Sequence, residues 1–258
     1  MASIRLKELE AELQGLRGFN APKIELEQYV TSAHLASRMM FTAQSTYEDV
    51  LDKRVLDLGC GCGILSIAST LLGSAYTLGV DLDPDALLVA RNNLASLDIS
   101  DSTIDFIQAD LSSSSSFRDL FGGHSRNDSE EEPFFDTVVM NPPFGTKNKG
   151  IDIVFLEIAC QMSNSAVYSL HKSSTRKFIE KKANEYGFEG EVIAEMRVGF
   201  TPFLSSHSLR YYNKFIDRIF HSPVVIGSSK YDLPKTMKIH KHKTLDIAVD
   251  FWRFQRIR

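Results

Sequence analysis

The chain has 258 residues, 43% hydrophobic and 24% charged. That is enough apolar material for one large folded domain, and it excludes a disordered or fibrous chain. No apolar run reaches the length of a membrane span and the N-terminal residues are charged from Arg5 onward, so a soluble intracellular protein without a membrane partner is expected. The net charge of −4 hides an asymmetry: residues 1–140 carry 10 Lys+Arg against 22 Asp+Glu, residues 141–258 carry 19 against 11. A basic half suits a polyanionic partner, because phosphate contacts dominate nucleic-acid affinity; lysines on solvated helices are the other reading.

Apolar residues Ile4, Leu6, Leu9, Leu13 and Leu16 recur at a mainly helical spacing, so residues 4–16 predict an amphipathic helix ending near Gly15 or Gly18. A second helix is expected over residues 33–44. Before it, Gln28, Tyr29 and Thr31 stand at a loop-to-helix junction where they can touch a ligand, although Thr31 or Ser32 can equally serve as the N-cap. Lys53 to Ser66 then reads as strand, glycine turn and helix, with Gly59, Gly61 and Gly63 allowing a tight turn and a close approach to a cofactor. A second strand over residues 76–80 ends in Asp81, an acid at the distance from the glycine turn suited to ribose hydroxyls. The pattern therefore points to a nucleoside-bearing cofactor.

The three cysteines, Cys60, Cys62 and Cys160, are too few for a disulfide framework and lack paired zinc spacing, so reduced thiols and no metal are expected. A third strand over residues 104–108 leads to Asp110, placed to accept from an adenine amino group. Residues 112–133 are polar and low in complexity, the composition of a mobile loop with one short helical turn near Phe117.

A fourth strand, Phe135 to Met140, is β-branched and apolar, as in a central parallel strand, and delivers Asn141-Pro142-Pro143-Phe144 at its C-terminal end. Open α/β sheets bind ligands there. The prolines fix φ and leave carbonyls free, so the Asn141 side-chain oxygen and the Pro142 carbonyl can accept the two hydrogens of an exocyclic NH2 while Phe144 faces the attached ring. A flexible basic loop with Lys147 and Lys149 follows, then a helix over residues 151–161, a fifth strand over 166–170 ending at His171 and Lys172, and a basic helix with Arg176. Strands over residues 191–197 and 245–254 complete the set. Lys147, Lys149, His171, Lys172 and Arg176 are the candidates for contact with a polyanion.

The Gly-x-Gly-x-Gly turn preceded by Asp57 differs from a dinucleotide fingerprint, and an Asn-Pro-Pro-Phe corner has no role in hydride chemistry. Asp57 could attract a cofactor ammonium group or merely brace the turn. Together the motifs resemble class I S-adenosylmethionine-dependent methyltransferases of the amino-methylating Asn-Pro-Pro-aromatic group. More closely, they are similar to the eukaryotic enzymes that methylate adenosine N6 in small-subunit (18S) ribosomal RNA. The likeness runs through Arg5 to Glu10, Leu26 to Tyr29, Asp57 to Gly63, Met140 to Lys147, Tyr168 to Thr175 and Tyr231 to Pro234.

The resemblance implies an α/β, Rossmann-like, doubly wound seven-stranded sheet with the last strand antiparallel. It implies S-adenosyl-L-methionine contacts at Gln28, Thr31, Gly59, Cys62, Ile64, Asp81, Asp110 and Leu111, with an N-terminal helical segment, residues 1–50, contributing to that site. It further implies ribosomal RNA as substrate, a small zinc-bearing activator subunit pairing with the edge of strand three through Ile104 and Phe106, and residence in nucleus and cytoplasm. A glutamine-amide methyltransferase, a DNA adenine enzyme and a non-catalytic ribosome assembly factor are the competing readings. Two departures stand out: Val30 replaces a usual proline, and residues 198–230 read as an insertion or a retained intron that the family pattern lacks.

Overall fold

The computed structural model describes residues 4–97, 99, 102–112, 134–200 and 245–257. The predicted features over residues 113–133, 201–230 and 231–234 lie outside them. Seven strands form one sheet: β1 (Arg54–Leu58), β2 (Tyr76–Asp81), β3 (Ile104–Gln108), β4 (Phe135–Met140), β5 (Ser163–Lys172), β6 (Phe188–Phe200) and β7 (Leu245–Arg256). Their order is β3-β2-β1-β4-β5-β7-β6. β7 runs antiparallel to both its neighbours and the remaining pairs are parallel, as the family resemblance implies.

Alternation along each strand divides the core into two layers. Val55, Val139, Tyr168, Leu170 and Phe251 pack with the helices Leu6–Gln14, Ala33–Ser45, Ile64–Leu71 and Pro84–Ala95. Leu56, Leu58, Val138, Met140, Val167, Trp252 and Phe254 pack with the helices Ile151–Met162 and Arg176–Glu185. Helix ends follow local chemistry: Gly15 closes the first helix, and the Ser32 hydroxyl accepts from the Leu35 N–H at 3.2 Å, so Ser32 rather than Thr31 caps the second.

Three expectations need adjustment. β5 and β6 are longer than the apolar runs that announce them, because pairing with β7 continues through Lys172 on one side and from Phe188 to Phe200 on the other. Val198, Gly199 and Phe200 pair with Ile247, Asp246 and Leu245, so the block predicted as an insertion begins inside the sheet. β3 lies at an edge, but Ile104 and Phe106 are buried in the core and the exposed Asp105 and Gln108 side chains bond the Tyr76 hydroxyl and the Leu82 carbonyl on the β2 side, so what the edge offers is backbone.

The layers are tied by a buried polar cluster. Asp49 accepts from the Tyr168 hydroxyl at 2.7 Å and from Arg253 Nε at 3.0 Å, and its backbone carbonyl accepts from the Thr137 hydroxyl at 2.7 Å. The Arg253 guanidinium also lies 4.4 Å from the centre of the Tyr47 ring. The Asp49 carboxylate thus joins β5 and β7 to the loop before β1, and its backbone carbonyl joins β4. Removing the carboxylate takes from buried Arg253 its nearest counter-charge and leaves only Glu191, at 3.9 Å and half exposed, so Asp49→Ala should lower stability by about 3 kcal/mol in a denaturant titration. A change within about 0.5 kcal/mol would show that the cluster is not a structural tie.

Candidate active site

Leu58 of β1 and Met140 of β4 are register partners on adjacent parallel strands. Gly59 and Asn141 therefore leave the sheet side by side at its C-terminal edge. The chain crosses to opposite directions on either side of this pair, and the crevice at such a switch point is where α/β sheets bind ligands.

Gly59, Gly61 and Gly63 have φ of +69°, +54° and +82°, which explains the residue type. The space their missing side chains leave is filled by protein: a Cβ would stand 3.0 Å from the Phe155 ring at Gly59, 2.9 Å from Phe19 at Gly61 and 3.0 Å from Phe106 at Gly63. Asn93 latches the turn to the N-terminal segment, its amide donating to the Cys62 and Arg17 carbonyls at 2.9 Å each while accepting from the Arg17 N–H at 2.8 Å. Cys60, Cys62 and Cys160 are free and buried, and burial raises all three thiol pKa values, those of Cys62 and Cys160 to about 12. They are held as unreactive thiols.

The acids occupy the strand ends. Asp57 is buried; Oδ2 accepts from the Ser66 hydroxyl at 2.6 Å and Oδ1 has no partner. Burial pushes its carboxyl up to about 7, against the opposing effect of Ser66. Asp81 accepts from the Gly61 N–H at 2.8 Å and the Asp83 N–H at 2.9 Å, and burial raises its pKa. Asp110 is exposed and accepts from the Ser112 N–H at 2.8 Å, Leu111 is buried beside it, and Ile64 opens the helix after the glycine turn.

A strap over residues 27–31 crosses the site with alternating partners. Glu27, Tyr29 and Thr31 face the corner. The Glu27 carboxylate accepts from the Phe144 N–H at 3.1 Å and the Lys147 N–H at 2.8 Å. The Tyr29 hydroxyl reaches Asn141 Oδ1 at 3.1 Å and the Pro142 carbonyl at 3.3 Å, and Thr31 Oγ1 accepts from Asn141 Nδ2 at 2.8 Å. Gln28 turns the other way and donates to Asp83 at 2.7 Å, where Lys23 Nζ also binds at 2.6 Å. Burial works against the Asp83 charge, yet Lys23 and Gln28 hold its pKa below the ordinary value. Glu27 adopts a left-handed backbone, φ +53°, an uncommon conformation for a non-glycine residue. Val30 is half exposed, with one methyl occupying the space a side chain on Gly18 would need.

The structure brings Gln28, Thr31, Asp57, the glycine turn, Asp81 and Asn141 to one edge but does so through protein contacts that the sequence does not reveal. Phe144 is buried, its ring 5.7 Å from that of Tyr29 and tilted 42° to it. Lys147 and Lys149 are exposed beside the corner and Lys172 is half-buried. Two polyanion candidates are corrected. His171 is fully buried, with Nε2 2.9 Å from the Ser169 hydroxyl, and burial depresses its pKa to about 3; it cannot present charge to RNA in this fold. Arg176 is committed to buried Asp250 by two bonds of 2.7 Å and to Glu195 at 2.8 Å. Glu27 and Asn93 were missed: Glu27 is legible in hindsight from the period-two spacing with Tyr29 and Thr31, whereas nothing in the sequence marks Asn93.

A seven-stranded sheet of this order, antiparallel only at β7, with its glycine turn after β1, is the fold of class I methyltransferases. Comparison with known proteins makes the assignment narrower. Residues 29–120 match the family of ribosomal protein L11 methyltransferase (PrmA). Over nearly the whole chain it is 44% identical to the rRNA N(6)-adenosine-methyltransferase Mettl5 of Drosophila melanogaster, covering 99% of this chain and 98% of that protein. It is 43% identical to the METTL5 enzyme of Danio rerio, covering 97% and 99%. The crystal structure of Pyrococcus horikoshii PH1948 superposes with a TM-score of 0.66 at 30% identity, covering 98% of this chain and 97% of that one. The chain belongs to the METTL5 family of rRNA N6-adenosine methyltransferases. Among the described residues no helix is long and apolar enough to cross a membrane, and no cluster of three or more His, Cys, Asp or Glu could hold a metal ion.

Asp57 gives this site a measurable signature. Its folded pKa lies above the unfolded value of about 3.9, so its contribution to stability is complete at low pH and is lost as pH rises toward 7. Asp57→Asn keeps an acceptor for Ser66 without the charge. The stability of the variant relative to wild type should climb between pH 4 and 7, by at most about 1.4 kcal/mol per pH unit, and level off above. A pH-independent difference would contradict the raised pKa.

Proposed function

We propose that this protein transfers a methyl group from S-adenosyl-L-methionine to the N6 amino group of an adenosine in small-subunit (18S) ribosomal RNA. The supporting observation is the convergence of Asn141 Oδ1 and the Pro142 carbonyl on one point, held by a hydroxyl at 3.1 and 3.3 Å. An exocyclic NH2 has two hydrogens to donate and needs two acceptors at one place. The names of the Drosophila and zebrafish relatives supply the substrate class.

The adenine amino lone pair is delocalised into the ring, so the protein's task is orientation rather than deprotonation. Asn141 and Pro142 accept the two N6 hydrogens and localise the lone pair, and Thr31 anchors the Asn141 amide at its nitrogen. Neither acceptor is a useful base at neutral pH, so the surplus N6 proton leaves to water. Pro143 stiffens the turn, and Phe144 supplies a face for a base flipped out of its RNA context. Lys147, Lys149 and Lys172 contribute positive charge near the phosphates.

The residues present fit the methyl donor. The unpartnered, buried Asp57 Oδ1 suits an ammonium group, Asp81 suits ribose hydroxyls, and Asp110 suits an adenine amino group. Gln28, Thr31, Gly59, Gly61, Cys62, Gly63, Ile64 and Leu111 line the remainder. When bound, S-adenosylmethionine supplies an electrophilic methyl on a sulfonium. We assign the backbone edge of β3, which among the described residues pairs only with β2, to a small zinc-bearing activator subunit, with the complex working in nucleus and cytoplasm.

Asn141→Ala should abolish methyl transfer to RNA while calorimetric binding of S-adenosylmethionine stays close to wild type. Turnover at the wild-type rate would overturn the orientation mechanism. Asp81→Ala should do the reverse, weakening cofactor binding by about 1.5–3 kcal/mol through loss of a charge-assisted hydrogen bond. Undiminished affinity would reassign that acid.

A further inference from the structure

We propose that Tyr29 is a positioning residue whose hydroxyl occupies the amine site of the corner until the substrate base displaces it. The inference rests on the amine-orienting role of Asn141 and Pro142 proposed above. A single phenolic O–H stands within hydrogen-bond reach of both acceptors, so its oxygen marks the point where an N6 nitrogen donating to the same pair would sit. Two groups cannot occupy that point.

The physical reason for such an arrangement lies in the acceptors themselves. Pro142 is buried and Asn141 half-buried, and a buried carbonyl left without a donor is costly. Tyr29 satisfies them in the absence of substrate and keeps both oxygens aimed at one point. Its ring, 5.7 Å from Phe144, covers the surface on which the base would stack, so one displacement opens both the acceptor pair and the stacking face. The strap is built to permit it: Glu27 holds the loop beyond the corner and Thr31 holds the Asn141 amide nitrogen, so Tyr29 can swing away while its neighbours keep Asn141 in place. The exchange also favours amino-bearing bases. One bifurcated O–H gives way to two separate N–H donors, whereas a base edge carrying only an acceptor displaces Tyr29 and returns nothing.

Tyr29→Phe tests this because it removes the hydroxyl and keeps the ring. Two fluorescent single-stranded RNA oligonucleotides are compared, one containing an adenosine the wild-type protein methylates, the other an abasic site at that position. The variant should bind the adenosine RNA about three- to tenfold more tightly, with KM lowered in parallel, and bind the abasic RNA as wild type does. Equal or weaker affinity for the adenosine RNA would overturn the proposal, and so would a similar shift for both RNAs, which a packing change would produce. A hundredfold fall in kcat would also overturn it, since the hydroxyl would then act in the transfer itself. Failure of the wild-type protein to methylate any adenosine RNA would instead remove the functional reading beneath it.

Discussion

Everything at the crevice depends on how Asn141 is held. Its amide nitrogen donates to Thr31 Oγ1 and its oxygen is left facing the point where the Tyr29 hydroxyl sits. The amide is held at both ends by hydroxyls, Thr31 at its nitrogen and Tyr29 at its oxygen. The strap also binds the backbone on the far side of the prolines through Glu27, so the corner is clamped both before and after its rigid part. The left-handed Glu27 backbone ends the 3-10 turn Ile24–Leu26 and starts the strap toward the corner.

The sheet places the clamp. Because β1 and β4 are register partners, the glycine turn and the corner are neighbours without any loop having to bring them together. Asp57 sits buried in β1 with one oxygen unpartnered, a state that desolvation opposes and that a cation would relieve. The N-terminal segment closes the other side through Phe19 on Gly61, Asn93 on the Arg17 backbone, and Lys23 with Gln28 on Asp83. One stretch of chain, residues 17–31, therefore contacts both the glycine turn and the Asn-Pro-Pro-Phe corner.

β1 to β4 were legible because each is a short apolar run closed by a glycine, an acid or the proline pair, and β3 and β4 fall on the residues the pattern marks. β5 and β6 were legible only in part, since their extensions alternate polar and apolar residues and owe their conformation to β7, distant in sequence. The site was legible wherever residue type is forced by backbone geometry, as at Gly59 and Pro142. It was opaque wherever a common side chain gains its role from a tertiary neighbour. Arg176 and His171 look like exposed basic residues in sequence, yet the buried carboxylate of Asp250 claims the first and the core beside Phe254 encloses the second. Tyr29 stands where the sequence allows a ligand contact, but its particular partners are set by β4, which brings Asn141 within 3.1 Å of its hydroxyl.

The central claim is that the Asn-Pro-Pro-Phe corner serves an adenosine amino group in ribosomal RNA. Its most direct test is quantitative mapping of N6-methyladenosine in ribosomal RNA from cells with and without this protein. The account predicts that a defined adenosine, methylated in the presence of the protein, is unmodified in its absence. An unchanged N6-methyladenosine map would contradict it.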